Sequence, residues 1–170
     1  MDLVVSSLGW LLFDGQKLPC RLGRSGISTV KVEGDGATPV GQWPLRQVFY
    51  RPDRLIKPQT GLPIRAIGRQ DGWCDDPAHS DYNRPVALPH PASCETLWRD
   101  DGLYDVVVVL GHNDSPPIPG KGSAIFLHVA HPDGKPTQGC VALSLGDLLR
   151  VLRACRPGDT LSVISMAEQG

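Results

Sequence analysis

The chain has 170 residues, a length that fits one domain with one hydrophobic core. Charged residues make up 21% of it and the formal net charge is -1, which excludes the basic excess of a nucleic-acid-binding protein and any acidic tail. Nineteen glycines and sixteen prolines follow no period, which favours many short strands joined by tight turns.

The amino terminus predicts a hairpin rather than a targeting segment. Residues 3–5 and 10–13 are two expected strands around a Ser-Ser-Leu-Gly turn. An acid at position 2 and the lack of Lys or Arg before Lys17 do not fit a secretory signal, and no segment reaches the roughly eighteen apolar residues of a membrane-spanning helix. We therefore expect a soluble protein that starts directly in its fold.

The middle of the chain predicts loops around one longer strand. Residues 23–41 hold five glycines and end in a turn that leads into an expected strand at 42–50. The following residues, 51–93, are rich in proline and polar side chains. We expect long loops and short strands there, which form a lid or binding edge at about 51–100.

Two buried strands are predicted next. Residues 104–113 contain an unbroken β-branched run, which is typical of a central strand buried on both faces. The segment 123–130 alternates as a second strand. In it His128 shares a face with Phe126 and points away from Leu127.

The chain then predicts one helix and a closing strand. Ser144 is a suitable N-cap with Asp147 three residues on, and leucines recur at helical spacing up to a Pro-Gly stop, so we expect a helix at about 144–156. Cys155 continues the apolar stripe of this helix and is expected to be a buried structural thiol. A last strand is expected at 160–165.

The cysteine pattern excludes several common metal and redox sites. The number is odd and no Cys-x-x-Cys pair occurs, which argues against zinc-ribbon, iron–sulfur and thioredoxin-like sites and leaves at least one thiol free. We predict no cofactor and no metal. The five cysteines are Cys20, Cys74, Cys94, Cys140 and Cys155.

Cys140 differs from the other cysteines in its surroundings. It follows a Pro-Thr-Gln-Gly turn and precedes a hydrophobic run and the capped helix. A cysteine there can present its sulfur at the rim of a sheet, with the amides of Gly139 and Cys140 free to stabilise an oxyanion. The helix start is expected to lower the thiol pKa.

A base for this thiol is available in His128, twelve positions upstream on the neighbouring strand. The alternative of a satisfied core histidine beside an inert cysteine stays open on these residues alone. His131 competes for the same role but is expected at the loop surface. His112, at the end of the buried strand, either lines a cleft or is only a polar strand end.

Six blocks of sequence, which run in order from about Gly23 to Leu143, resemble the L,D-transpeptidases of bacterial cell walls, the YkuD-domain family. Together they cover most of the chain, and their combination is specific where the Gly-Cys pair alone is not. The blocks are Glu33–Gly41, Trp73–Pro77, Tyr82–Arg84, Gly111–Asp114, Ala124–His128 and Thr137–Leu143.

The resemblance implies a mostly β fold, a single catalytic domain over residues 1–170 built as a β-sandwich or curved mixed sheet with one main helix. It matches Cys140 to the catalytic nucleophile and His128 to the base, with that histidine held by a backbone carbonyl. It also implies that the amides of Gly139 and Cys140 face the oxyanion.

The implied reaction is an acyl transfer between peptidoglycan stem peptides. Members of the family break the bond between an L-centre and a terminal D-alanine, hold the acyl group as a thioester and pass it to an amine of a second stem. The implied partners are donor and acceptor stems, and carbapenems as thioester-forming inhibitors. The implied location is the periplasm or cell wall, although the lack of a visible signal leaves the cytoplasm open.

Two departures from the family pattern concern the catalytic turn. Gln138 replaces the usual histidine of the Ser/Thr-His-Gly-Cys motif, and the segment between His128 and Cys140 is short. A Cys-dependent carboxypeptidase or other amide hydrolase and a non-catalytic wall-binding domain remain alternatives. An ion pair is an equally good expectation for Arg84. The candidates for substrate contact are Tyr82, Arg84, Trp98, His112, Asn113 and Gln138.

Overall fold

The computed structural model describes residues 1–166, with fourteen strands and one helix. The helix is α1 (Leu145–Ala154). The strands are β1 (Asp2–Ser6), β2 (Trp10–Phe13), β3 (Gln16–Arg21), β4 (Ile27–Ser28), β5 (Thr38–Pro39), β6 (Gly41–Tyr50), β7 (Ile64–Ala66), β8 (Asp71–Cys74), β9 (Pro85–Ala87), β10 (Cys94–Thr96), β11 (Val106–Leu110), β12 (Phe126–Val129), β13 (Val141–Leu143) and β14 (Thr160–Ile164).

Nine strands form one mixed sheet in the order β11-β12-β13-β3-β2-β1-β14-β6-β7. The long strand β6 closes this sheet, because its first residues pair with β14 and its remaining residues pair with β11. Closure removes most of the exposed sheet edge. The predicted fold class, mostly β with a curved mixed sheet and one helix, is confirmed.

Strand β11 is buried on both faces, as its β-branched run predicts. Val106 and Val108 point into the main core, which also receives the buried face of α1. Val107 and Val109 point to the opposite face, where a second core with Phe126 and Trp73 covers them. The second core exists because the segment between β6 and β11 folds back over the sheet.

That segment, residues 51–100, contains β7 to β10 and is called the insertion below. Strands β8, β9 and β10 form a separate antiparallel sheet in the order β10-β8-β9. Trp73 of β8 packs edge-on against Phe126 of β12, with ring centroids 5.1 Å apart. The insertion therefore stands directly on the strand that carries His128.

The helix begins as predicted. The Ser144 hydroxyl accepts a hydrogen bond from the Asp147 amide at 3.2 Å, and Leu148 and Leu152 are fully buried. Cys155 at the helix end is buried, in agreement with its expected structural role. No helix in the described part of the chain has the length and apolar character that crossing a membrane requires.

Candidate active site

Two adjacent parallel strands bring the predicted pair to one cavity. His128 lies on β12 and Cys140 directly precedes β13, whose Ala142 is opposite His128 in the register. Both side chains line a cavity of about 560 Å³, and both residues are more than nine-tenths buried. His128 and Cys140 are twelve residues apart in sequence, but the parallel pairing of β12 and β13 makes them neighbours.

The imidazole of His128 is oriented by the backbone. Its Nδ1 lies 2.8 Å from the Val129 carbonyl oxygen, and a carbonyl only accepts, so Nδ1 carries the proton. The lone pair is therefore on Nε2, the tautomer that a general base needs. The ring of Tyr104 packs edge-on against the imidazole, with centroids 5.3 Å apart, and restricts its rotation.

The thiol of Cys140 forms hydrogen bonds with two backbone groups, one just before β12 and one at its first residue. Its Sγ donates to the Ala124 carbonyl at 3.2 Å and accepts from the Phe126 amide at 3.4 Å. Ala124 has a φ of 53°, a left-handed conformation that is uncommon for a residue with a side chain. This turn also explains why β12 starts at Phe126 and not at the predicted residue 123.

Burial keeps the Cys140 thiol and the His128 imidazole neutral in this structure. It raises the pKa of the Cys140 thiol to about 12 and lowers the pKa of His128 to about 4. The expected lowering of the thiol pKa by the helix start is therefore wrong, because β13 separates Cys140 from the first turn of α1 and desolvation dominates. The two groups are therefore a neutral pair in this structure and not a thiolate–imidazolium ion pair.

Gly139 is required by the turn. Its φ of 139° is strained for other residues, and a Cβ there would lie 2.9 Å from the Ala37 carbonyl oxygen. We expected both amides of the turn to be free, but the Gly139 amide donates to the Thr137 hydroxyl at 3.1 Å. The Cys140 amide has no acceptor within residues 1–166 and is therefore free to donate a hydrogen bond.

The upstream Glu33–Gly41 block supports this turn from below. Thr38 accepts a hydrogen bond from the Gly23 amide and directs its hydroxyl to the Cys140 carbonyl at 3.4 Å. Lys31, nearly buried, forms an ion pair with Asp35 at 2.5 Å. These contacts explain why a block about a hundred residues upstream belongs to the same sequence pattern as the cysteine motif.

Asn83 connects three further blocks of the family pattern. Its Oδ1 accepts hydrogen bonds from Trp73 Nε1 at 2.9 Å and from the Ala124 amide at 3.0 Å. Its Nδ2 donates to the carbonyls of His112 and Asn113. The buried side chain of Asn83 therefore holds Ala124, whose carbonyl accepts the hydrogen bond from the Cys140 thiol.

Tyr82 lies behind the cavity rather than in its lining. It is 3% exposed, and its hydroxyl donates to Glu33 at 2.9 Å and accepts from the Gly122 amide at 3.0 Å. Glu33 does line the cavity and also accepts from Ser123. Tyr82 thus fixes a cavity carboxylate and the chain before β12.

His112 and Asn113 also lie outside the cavity lining. His112 is buried edge-on against Trp43, and burial lowers its pKa to about 4. Its Nδ1 has no hydrogen-bond partner in the part of the chain that is described. The Asn113 side chain bonds to Ile118 and Gly122 and orders the loop between them.

The remaining predicted contacts are divided between several surfaces. Gln138 lines the catalytic cavity and accepts a hydrogen bond from Arg24 at 3.0 Å. His131, expected at the loop surface, lines the same cavity. Arg84 is exposed at a separate cavity of about 260 Å³. Trp98 has the guanidinium groups of Arg51 and Arg69 over its ring and does not line either cavity.

The cavity carries charges that the sequence analysis did not single out. Tyr104 hydrogen-bonds to the Glu95 carboxylate, and burial raises the pKa of both groups. The charged residues of the lining are scattered over about a hundred positions of the sequence, so no local pattern marks them. The charged residues of the lining include the cations Lys31, Arg99 and Lys135 and the acids Glu33, Asp75 and Glu95.

Comparison with known proteins gives a family and two distant structures. The model of the YkuD family, described as L,D-transpeptidase catalytic domain, matches residues 7–164. No curated protein matches. Similar solved structures include the helical cell shape determining protein Pgp2 from Campylobacter jejuni, at 15% identity and a TM-score of 0.44, covering 98% of this chain and 48% of that one. A point variant of the same protein gives 17% identity and a TM-score of 0.41, covering 98% and 47%. The chain thus spans about half the length of both.

Proposed function

Because the chain belongs to the YkuD family of L,D-transpeptidase catalytic domains, we propose that it is a peptidoglycan L,D-transpeptidase with Cys140 as nucleophile and His128 as base and acid. The observation that carries the proposal is that thiol and imidazole share one cavity, with Nδ1 of His128 held by the Val129 carbonyl. Its substrates are stem peptides, and it acts in the periplasm or cell wall.

In the first half-reaction the S–H proton moves to Nε2 of His128 as Cys140 Sγ bonds to the carbonyl carbon. The oxyanion that forms is stabilised by the free Cys140 amide. When this intermediate collapses, the C–N bond breaks and His128 returns the proton to the departing D-alanine amine. The acyl group is left as a thioester on Cys140.

In the second half-reaction an amine of another stem attacks the thioester. His128 takes a proton from the attacking nitrogen, the C–S bond breaks, and the thiol is regenerated with that proton. The mixed charge of the lining suits this exchange, because stems present both carboxylates and an amine. Lys31 and Arg99 are candidates for the carboxylates, and Glu33 and Glu95 for the acceptor amine.

We propose that the whole chain is one catalytic domain in which the insertion, residues 51–100, acts as a lid over the site. Asp75, Cys94 and Glu95 from this segment line the cavity beside Cys140, which supports the assignment. Substrate specificity then depends on the insertion as well as on the catalytic turn that contains Gln138.

The test is incubation of disaccharide-tetrapeptide stems with the protein and with Cys140→Ala, followed by mass spectrometry of the products. We expect Cys140-dependent dimers whose fragmentation identifies the bond between stems. The same experiment with a carbapenem is expected to add one acyl group to the wild-type chain and none to the variant.

Three results would contradict the proposal. Shortened stems without dimers would make the protein a carboxypeptidase or another amide hydrolase that uses the same thiol. Unchanged stems with both proteins would favour a different substrate or a wall-binding role. Dimers formed equally by Cys140→Ala would remove Cys140 as the nucleophile.

A further inference from the structure

Two cysteines and a histidine meet in the insertion, apart from the catalytic pair. The sulfur atoms of Cys74 and Cys94 and a ring nitrogen of His90 all lie within 4.8 Å of one another. In a tetrahedral zinc site, ligand atoms are separated by about 3.5–3.8 Å, as follows from the usual metal–ligand bond lengths. Small side-chain adjustments therefore bring these three atoms around one ion.

The register of the small sheet places the two sulfurs side by side. Cys94 of β10 lies directly opposite Cys74 of antiparallel β8. In the next pair, the Asp75 amide donates to the Ser93 carbonyl at 3.1 Å, which makes it a hydrogen-bonded pair. Since the two kinds of pair alternate, Cys74 and Cys94 form a non-hydrogen-bonded pair, whose side chains are the closest in the ladder.

His90 approaches this pair from the loop between β9 and β10. Its Nε2 is 2.9 Å from Asp81 Oδ2, and its Nδ1 accepts a hydrogen bond from the Ala92 amide at 3.1 Å. Because an amide only donates, Nδ1 has the lone pair and Nε2 gives its proton to Asp81. A carboxylate behind the imidazole is the arrangement that orients ligating histidines in metal sites.

The surroundings of the cluster favour a cation. The Oδ1 atom of Asp75, the residue after Cys74, is buried and has no hydrogen-bond partner within residues 1–166. A buried carboxylate oxygen is unfavourable unless a cation or an ordered water compensates it. Asp81 adds a second carboxylate and His79 adds a second imidazole. The ring centroids of His79 and His90 are 4.7 Å apart.

We propose that Cys74, Cys94 and His90 bind one thiophilic divalent metal ion, with zinc as the best match and water in the fourth position. Two thiolates and an imidazole suit zinc better than they suit magnesium or calcium. Binding deprotonates both cysteines, so two protons are released to solvent for each ion that binds.

The ion would fix one wall of the catalytic cavity. Cys94 and Asp75 both line that cavity, and Glu95 follows Cys94 on β10. Coordination would join β8, β10 and the loop that carries His90. The sequence did not predict the site because its cysteines are twenty residues apart and become neighbours only through antiparallel pairing.

A disulfide between Cys74 and Cys94 is the competing assignment, because directly paired residues of adjacent strands are within reach of such a bond. It would leave unexplained why a ring nitrogen of His90 lies within 4.8 Å of both sulfur atoms, although ligation through Nδ1 would replace the hydrogen bond from the Ala92 amide. The ion uses all three side chains of the cluster, and the geometry therefore favours it.

The test uses the reduced full-length chain under anaerobic conditions. Elemental analysis after incubation with Zn²⁺ and gel filtration is expected to give one ion per chain. Titration with Co²⁺ is expected to give thiolate-to-cobalt charge-transfer absorption. The Tm is expected to rise by about 5–10 °C at a free metal concentration a hundredfold above Kd.

Matched variants locate the site. Cys74→Ser, Cys94→Ser and His90→Ala are each expected to lose the charge-transfer absorption or to weaken binding at least about tenfold. Cys20→Ala and Cys140→Ala are expected to keep it, and the second of these controls also excludes the catalytic thiol as the ligand.

The proposal is overturned if the reduced chain binds no ion, or if binding survives Cys94→Ser. A chain isolated two hydrogens lighter, with Cys74 linked to Cys94 and no metal uptake after reduction, would assign the pair to a disulfide instead. These readouts do not depend on transpeptidation, so the metal site and the proposed function can fail separately.

Discussion

At the scale of single residues, burial determines the protonation of the proposed catalytic pair, Cys140 and His128. The thiol of Cys140 and the imidazole of His128 are each neutral at pH 7, since desolvation disfavours both charged forms. The backbone supplies the orientation, through the carbonyls of Val129 and Ala124. An acidic third member is therefore not needed to fix the histidine tautomer.

The two buried histidines predict a pH dependence of stability. An unfolded histidine takes up a proton near pH 6.5, whereas His128 and His112 do so only near pH 4 in the folded chain. Between these values the unfolded state binds more protons, so the free energy of unfolding falls as the pH falls. Each histidine is expected to contribute up to about 1.4 kcal/mol per pH unit in urea denaturation.

Replacement of His128 by Gln should flatten this dependence, since only His112 then remains. The matched control is His131→Gln, which removes a half-buried histidine at the cavity mouth. If His131→Gln flattens the slope as much as His128→Gln does, the buried histidines are not its source.

Gly139 and Gly146 predict opposite effects of the same substitution. Gly139→Ala introduces strain at φ 139° and a contact of 2.9 Å with the Ala37 carbonyl oxygen, so the catalytic turn must move. We expect a loss of about 1–3 kcal/mol in stability and of about 100-fold in kcat/KM on stem peptides. Gly146→Ala, in the first turn of α1 with open space around it, should stabilise by about 0.5–1 kcal/mol with unchanged activity. Retained activity in Gly139→Ala would show that the turn tolerates a side chain.

At the scale of elements, hydrophobic pattern and capping were sufficient for β1, β2, β6, β11, β14 and α1. The start of β12 was not predictable, because it depends on the left-handed Ala124, which a hydrogen bond from its amide to Asn83 stabilises. The short strands β7 to β10 were also missed as individual elements. Their pairing is fixed by contacts with the outer face of β11 and β12, and a local window contains none of that information.

Asn83 is expected to position the catalytic thiol through Ala124. Asn83→Gly tolerates the φ of 56° but removes the acceptor of the Ala124 amide, so the carbonyl beside Cys140 loses its support. We predict a fall in kcat of roughly 10- to 100-fold with a smaller change in KM, measured by dimer formation from stems. The control is Asn113→Gly, because Asn113 also has a positive φ but its side chain bonds only within its own loop. Equal losses in both variants would assign Asn83 a general stabilising role.

At the scale of the whole molecule, the sequence motifs of the family are local, whereas the shape of the cavity depends on residues from distant segments. The proximity of His128 and Cys140 follows from the parallel pairing of β12 and β13. The charges opposite them come from residues 31, 33, 75, 95 and 99, which closure of the sheet and the fold of the insertion bring together. Sequence distance hides such a surface, and Tyr82 and His112, which are predicted substrate contacts, lie outside its lining.

The insertion is held at its base by one buried arginine. Arg51 is 3% exposed and makes two hydrogen bonds of 2.8 Å to Asp53. It also donates to the Arg99 carbonyl and stacks on Trp98 with its guanidinium carbon 3.7 Å from the ring centroid. The first residue of the insertion is thereby joined to residues near its end, which explains the position of Trp98 away from the cavity.

We therefore predict that Arg51→Lys loosens the insertion while the catalytic pair stays intact. Lysine keeps the charge but cannot form the paired hydrogen bonds or the planar stacking, and a loss of about 1–3 kcal/mol is expected. Limited proteolysis should cut faster within residues 52–100, and KM for stems should rise more than kcat falls, because the wall of the cavity moves and the nucleophile does not. Arg46→Lys is the control, since Arg46 makes the same paired contact with a carboxylate at an exposed site, where the loss should stay below about 1 kcal/mol. A fall in kcat without a change in KM would mean that Arg51 acts on the chemistry of Cys140 and not on the lid.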